Sequence, residues 1–137
     1  MCRLDVSYSA AASTHRTARH RIEQFLDSQD IHDPNLLIAV GEALSNAWLH
    51  ACCERPGTIK VAVDCLPDRI IVEVSDPGPG FDTAIPYHNS GIPGIYTCGR
   101  YLMASCVDHV SYYHNGRWFV CRLVKSLKNL LKIPQNG

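Results

Sequence analysis

The stretch from Asp33 to Ala51, DPNLLIAVGEALSNAWLHA, constrains the fold of this 137-residue chain more than any other. Asp33-Pro34 places a capping carboxylate before a proline at the first helical position, where the missing N–H is not needed. Leu36, Leu37, Val40, Leu44 and Trp48 recur at helical spacing and require a buried face. Ala39, Ala43 and Ala47 form a small-residue stripe at four-residue spacing, which lets a neighbour approach closely. Into this apolar helix the sequence sets Glu42, Asn46 and His50. Residues four apart drift only about 40° around a helix, so the three share one face. Two readings follow: a solvated helix surface, or a semi-buried polar stripe whose groups need partners because burying them unpaired is costly.

The rest of the chain reads as strands joined by tight turns. Leu4 to Tyr8 alternates apolar and polar, as a first strand does. Ser13 or Thr14 can cap a helix running to about Ser28, with Ile22, Phe25 and Leu26 on its apolar face. After Pro56-Gly57, residues 58–63 and 70–75 are two strands around a Pro67-Asp68 turn. Residues 77–98 hold four prolines and four glycines without periodicity, a long functional loop or lid. A third helix is expected over about 100–107. Val110 to Tyr113 and Trp118 to Val124 then pair through Asn115-Gly116. A helical turn is expected near 127–132. Hairpins outnumber crossovers, so the predicted class is α+β: a two-layer sandwich with a mostly antiparallel sheet and helices on one face.

Composition narrows the function. The chain is 46% hydrophobic and 19% charged, as a globular domain is, and 137 residues suit one domain. Thirteen basic and thirteen acidic residues leave no net charge, which argues against a nucleic-acid or membrane-surface partner held by bulk charge. No apolar run reaches the length of a membrane span, and the first residues lack the apolar segment of a signal peptide. A cytoplasmic location is the resulting expectation. The seven cysteines, Cys2, Cys52, Cys53, Cys65, Cys98, Cys106 and Cys121, contain no C-x-x-C pair. They read as reduced thiols, several of them core filler, with Cys98 in the loop the most reactive.

A second polar cluster gives the first its chemistry. The apolar run Ile70 to Val74 ends at Asp76-Pro77-Gly78-Pro79-Gly80-Phe81. Asp, Pro and Gly are common turn residues, and an ordinary tight turn is one reading. The other is a pocket. A semi-buried Asp76 can accept from a donor such as adenine's exocyclic amine, while Gly78 and Gly80 let the backbone pass close to a flat ligand. Asn46 offers a neutral hard oxygen to Mg²⁺ and leaves room for phosphate oxygens on the same ion. Glu42, one turn earlier, suits a general base. Glycine loops of the phosphate-cradling kinds, G-x-G-x-x-G before a helix or G-x-x-x-x-G-K, are absent.

In this order and at this separation, the clusters resemble those of the GHKL ATPases, the gyrase, histidine-kinase and mismatch-repair superfamily. Glu42-Ala43-Leu44-Ser45-Asn46-Ala47-Trp48-Leu49-His50-Ala51 is similar to its N box, and Asp76 to Phe81 to its first glycine box. Gly91 to Gly94 and Cys98 to Met103 lie where the lid and second glycine box are expected. The small size and Leu102-Met103-Ala104-Ser105-Cys106-Val107-Asp108-His109-Val110 resemble the bacterial anti-sigma-factor serine kinases of partner-switching systems. The resemblance spans about residues 3–125. It implies a Bergerat fold with ATP and Mg²⁺ bound beneath a lid at about 82–99. It further implies transfer of phosphate to a serine of a STAS-type anti-anti-sigma protein, binding of a sigma factor, and a homodimer. By motif, Glu42 would activate the acceptor serine and Asn46 would ligand Mg²⁺. Asp76 would bind the adenine amine, and Gly78 and Gly80 would shape the base pocket; His50, from its place on the helix face rather than by motif, is a further candidate for phosphate contact. Gly94, Gly99 and Arg100 would sit near the phosphates.

The chain departs from that pattern at the lid and near the last strand. Ile92-Pro93 splits Gly91 from Gly94, Gly99 stands five residues later, and Pro93 should stiffen a segment expected to close. The family's Gly-Thr reads Gly116-Arg117-Trp118 here. Two functions therefore stay open: a serine-protein kinase acting as a partner switch, and a nucleotide-dependent module that sequesters a partner with little or no transfer. The catalytic piece of a histidine kinase fits less well, because nothing around His15 or His20 marks a phosphoacceptor.

Overall fold

Alternation and turn chemistry dictate an antiparallel sheet, and the computed structural model contains one. It describes residues 2–51, 57–78 and 102–127, without the side chains of Ala12, His50 and Ala51. The elements are β1 (Cys2–Ser9), α1 (Ala12–Ser28), α2 (Pro34–Ala51), β2 (Thr58–Cys65), β3 (Arg69–Asp76), β4 (His109–Asn115) and β5 (Trp118–Ser126). Among the described residues of the expected third helix, 102–106 form a short helical turn. The strands lie in the order β1-β2-β3-β5-β4, every neighbouring pair antiparallel. This is the predicted α+β sandwich.

Register decides which side chains meet. Leu4 opposes Val63, Val63 opposes Val72, and Val72 opposes Leu123, so one apolar row crosses four strands. A second row runs Val6, Val61, Val74, Cys121. Val61, Val63, Val72, Val74 and Leu123 are all buried beneath the helices. The opposite face is mixed: Arg3 pairs with Asp64 at 2.6 Å and Arg122 lies 3.8 Å from Glu73, beside the buried Ile71 and Val120. Leu36, Ala39, Val40, Ala43, Leu44 and Ala47 bury the sheet-facing side of α2, and Ala18, Ile22 and Leu26 that of α1. Fully burying an aliphatic side chain of this size stabilises by roughly 1.5–3 kcal/mol, so this layer dominates the stability.

The turns follow the sequence with two adjustments. Pro67-Asp68 makes the β2–β3 turn, closed by Leu66 N–H donating to Arg69 O at 2.8 Å. In the β4–β5 hairpin Asn115 still pairs with Trp118, so the loop residues are Gly116 and Arg117 rather than Asn115-Gly116. Gly116 has φ +63°, and a glycine at the first loop position is the mark of a type II′ turn. Neither Ser13 nor Thr14 caps α1: Ala11 stands at the N-cap. The Thr14 hydroxyl instead accepts the Ala11 N–H at 3.2 Å from inside the first turn. Trp48 adds a tertiary tie at this end. Its indole N–H reaches from α2 to Ala11 O at 2.9 Å and Thr14 Oγ1 at 3.1 Å, tying the start of α1 to α2.

Asp33 does cap α2, its Oδ1 accepting from Asn35 N–H at 3.1 Å and Leu36 N–H at 3.3 Å. It is buried, and Oδ2 lies 3.6 Å from Lys125 Nζ on β5. The ammonium also donates to Cys106 O at 3.0 Å. One carboxylate thus anchors a helix start to the far end of the sheet. Asp33→Ala should lower stability by about 1–2 kcal/mol, the usual cost of a lost cap, read as a shift in the urea midpoint. His15 adds a pH dependence. It stands edge-on to Trp48 with ring centroids 5.4 Å apart, and its Nε2 is 3.3 Å from Ser45 Oγ. Burial, then the Arg19 charge, hold its imidazole below the ordinary value. The unfolded chain therefore takes up this proton first. His15's contribution is full above about pH 6.5 and is lost as pH falls below it. His15→Gln should lose less stability than wild type between pH 7 and pH 5; equal losses would show that another group governs the acid limb.

Candidate functional site

An apolar strand that ends in a carboxylate brings a polar group to the edge of the core. Asp76 is the last residue of β3 and is only 2% exposed. Its Oδ1 accepts the Gly78 N–H at 2.8 Å, a carboxylate holding the backbone two residues on. The tight-turn reading is therefore correct for one oxygen. It does not exclude the pocket reading, because the same side chain lines a cleft between α2 and the sheet.

That cleft is narrow, with room between its walls for about one water molecule, and is lined by Ala43, Asn46, Ala47, Val74, Asp76, Tyr112, Phe119 and Cys121. Ala43 and Ala47 explain why it exists. Two methyl side chains one helical turn apart leave a gap over β3 and β5 that leucines would fill. The small-residue stripe thus makes a cavity as well as a close packing surface. Val74 and Cys121 form its floor as register partners. Tyr112 and Phe119 form a wall, their rings 5° from parallel with centroids 6.0 Å apart. Burial, and then the neighbouring Asp76 carboxylate, push the Cys121 thiol up to about 12. It stays protonated at neutral pH and serves as apolar lining rather than as a nucleophile.

The structure brings together Asn46 from α2 and Asp76 from β3, two polar groups in an otherwise mostly apolar cleft. Glu42 is half-buried one turn before Asn46 on the same helix face but is not among the cleft's lining residues. Gly78 lies beside Asp76, held by its carboxylate. The His50 side chain, Gly80, Gly94, Gly99, Arg100, Cys98 and the lid at about 82–99 lie outside the described residues. Tyr112, Phe119 and Cys121 escaped the sequence reading because they belong to no motif. The inward alternation of β4 and β5 was the only signal for them.

The donor set suits an adenine nucleotide: a buried acceptor for an amine, a flat apolar wall, and an amide on the opposite helix. It does not suit a metal held by protein alone. No group of three or more His, Cys, Asp or Glu among the described residues could hold one. A divalent ion there would need ligand oxygens from a bound phosphate, with Asn46 as a protein donor.

An antiparallel five-stranded sheet under two helices, with a helix asparagine facing a strand-end aspartate, defines a GHKL-type nucleotide-binding domain. The chain belongs to the histidine kinase-like ATPase domain family, whose model matches residues 8–125. It is accordingly an ATP-binding, kinase-like module. A search of curated proteins finds no match. Among the described residues no helix is long and apolar enough to cross a membrane.

Asp76→Asn tests the base pocket with the turn preserved, since an asparagine oxygen can still hold Gly78. The change puts an amide where a charged acceptor stood. ATP affinity should fall at least about tenfold, in line with hydrogen bonds to charged groups, measured by calorimetry alongside an unfolding curve. Unchanged affinity would remove Asp76 from the site.

Proposed function

We propose that the protein is a serine-protein kinase of the partner-switching type, which phosphorylates a STAS-type anti-anti-sigma protein and also binds a sigma factor. What supports this reading most is the cleft in which Asn46 of α2 faces the buried Asp76 of β3. Asp76 would hold the base amine and Asn46 would ligand Mg²⁺ beside the phosphates. ATP supplies the transferable phosphoryl group. Glu42, half-buried one turn from Asn46, would accept the proton that the attacking serine hydroxyl releases. Gly94, Gly99 and Arg100 would take the phosphate-binding roles by motif, and His50 by its place on the helix face. The edge position of β1 offers a surface for a homodimer, because a strand paired on one side can pair again.

A second reading rests on its own observation. Glu42 is not among the residues lining the cleft with Asn46, and Gly116-Arg117-Trp118 replaces the expected Gly-Thr. A module that binds nucleotide and sequesters a partner, with little or no transfer, accounts for both. The two readings separate in one assay. The purified chain, ATP, Mg²⁺ and the antagonist protein should yield phosphoserine on the antagonist. Glu42→Ala should cut that rate by about 10²–10⁴-fold with ATP affinity retained. Tight ATP binding without any phosphoserine would favour the sequestering module, and full transfer by Glu42→Ala would remove that residue's role.

A further inference from the structure

Two cysteines that no site residue needs face each other across the edge of the sheet. Cys2 is directly opposite Cys65 in the β1–β2 register. Directly opposed residues of an antiparallel pair point to the same face. That face is the helix-covered one, since Leu4 and Val63 are the next opposed pair inward and both are buried. Both thiols are free, Cys2 exposed and Cys65 buried. The other described cysteines have no such partner: Cys121 opposes Val74 and Tyr112, and Cys106 lies outside the strands.

The backbone spacing permits a bond. Ala10 N–H donates to Gly57 O at 2.8 Å, which extends the same register by one pair. Counting by twos from there, Cys2 and Cys65 fall on a pair that exchanges hydrogen bonds, with Cα atoms about 5.5 Å apart. Disulfides span about 4.4–6.8 Å between Cα atoms. At such a hydrogen-bonded pair their Cβ atoms must close by about 1.5–2 Å from the cross-strand spacing. Cys2 can supply that movement, because it begins an edge strand paired on one side only.

We propose that Cys2 and Cys65 form a dithiol site that a low-molecular-weight disulfide of the glutathione class oxidises to a cross-strand bond, fastening β1 to β2. The exposed Cys2 thiolate attacks one sulfur of the small disulfide, whose S–S bond breaks and releases one small thiolate. Cys65, deprotonated in turn, attacks Cys2 Sγ and expels the second. The protons of Cys2 and Cys65 end on the two released thiols: two protein thiols are oxidised and one small disulfide is reduced. Burial raises the Cys65 thiol, with the neighbouring Cys2 adding to the effect, so Cys2 is the first attacker. The bond would close a ring around residues 3–64, with α1 and α2 inside it. The helix bearing Glu42 and Asn46 would then lie within a covalently closed loop.

The test treats the full chain with oxidised glutathione at pH 8, blocks remaining thiols, and maps peptides without reduction. The expected product is a Cys2–Cys65 linked peptide. The thermal midpoint should rise by about 5 °C or more, as closing a loop of this length predicts, and fall back on addition of dithiothreitol. Cys2→Ser, a change at an exposed residue, should abolish both the linked peptide and the rise. Cys65→Ala should leave glutathione trapped on Cys2. A stable glutathione adduct on Cys2 in the wild-type chain, Cys2 joined to another cysteine, or Cys2 still free would each overturn the proposal.

Discussion

The seating of α2 on the sheet is the contact on which the rest depends. Leu36, Val40 and Leu44 fill the space over the strands, while Ala39, Ala43 and Ala47 keep the helix close without filling it. Close packing and a cleft are opposite demands, since a well-packed interior leaves few voids larger than a water. Alternating bulky and methyl side chains along one helix meets both. The bulky residues stabilise the layer, and the methyl groups leave room beside Val74 and Phe119. Replacing the buried Ala43 with leucine would close the cleft and overpack the layer, at a cost of about 1–3 kcal/mol.

Polar groups at the ends of elements fix where α2 sits. Asp33 at its start spends one oxygen on the helix and aims the other at Lys125 of β5. Trp48, more than three turns later, uses its indole N–H to hold the opening of α1. These contacts act at opposite ends of the helix, which limits sliding along its axis. Sliding matters because Asn46 must stay opposite Asp76. Asp76 is itself held by its bond to Gly78 and cannot follow.

Much of the architecture was legible because it rests on local chemistry. All five strands among the described residues were written in the sequence as short runs bounded by turn residues. Asp33-Pro34 announced α2, and Pro67-Asp68 its hairpin. The reading failed where a local signal had a non-local competitor. Ser13 and Thr14 are good caps, yet the helix begins earlier, after Ala11, and the Thr14 hydroxyl bonds back to Ala11 from inside the first turn while Trp48 holds that end from another helix. Asn115-Gly116 is a strong loop pair, yet β4 and β5 stay in register to Asn115 and push the turn one residue on. Of the site, Asn46 and Asp76 were legible from their settings, an amide in an apolar helix and a carboxylate ending an apolar strand. Tyr112, Phe119 and Cys121 were not, because an alternating strand residue looks the same whether it faces core or cleft.

The sequence by itself determined the elements, the helix-facing side of each, and the residue types able to meet a nucleotide, because periodicity and turn preferences act over a few residues. Tertiary structure alone decided which of those residues share a cleft. Asn46 and Asp76 are thirty residues apart in the chain, and they meet only because β3 is central in the sheet and α2 crosses it. Glu42, on the same helix face as Asn46 by every local rule, does not line that cleft. Cys2 meets Cys65 for the same kind of reason: strand register, set by the whole length of the β1–β2 pairing, places opposite each other two residues that no local pattern connects.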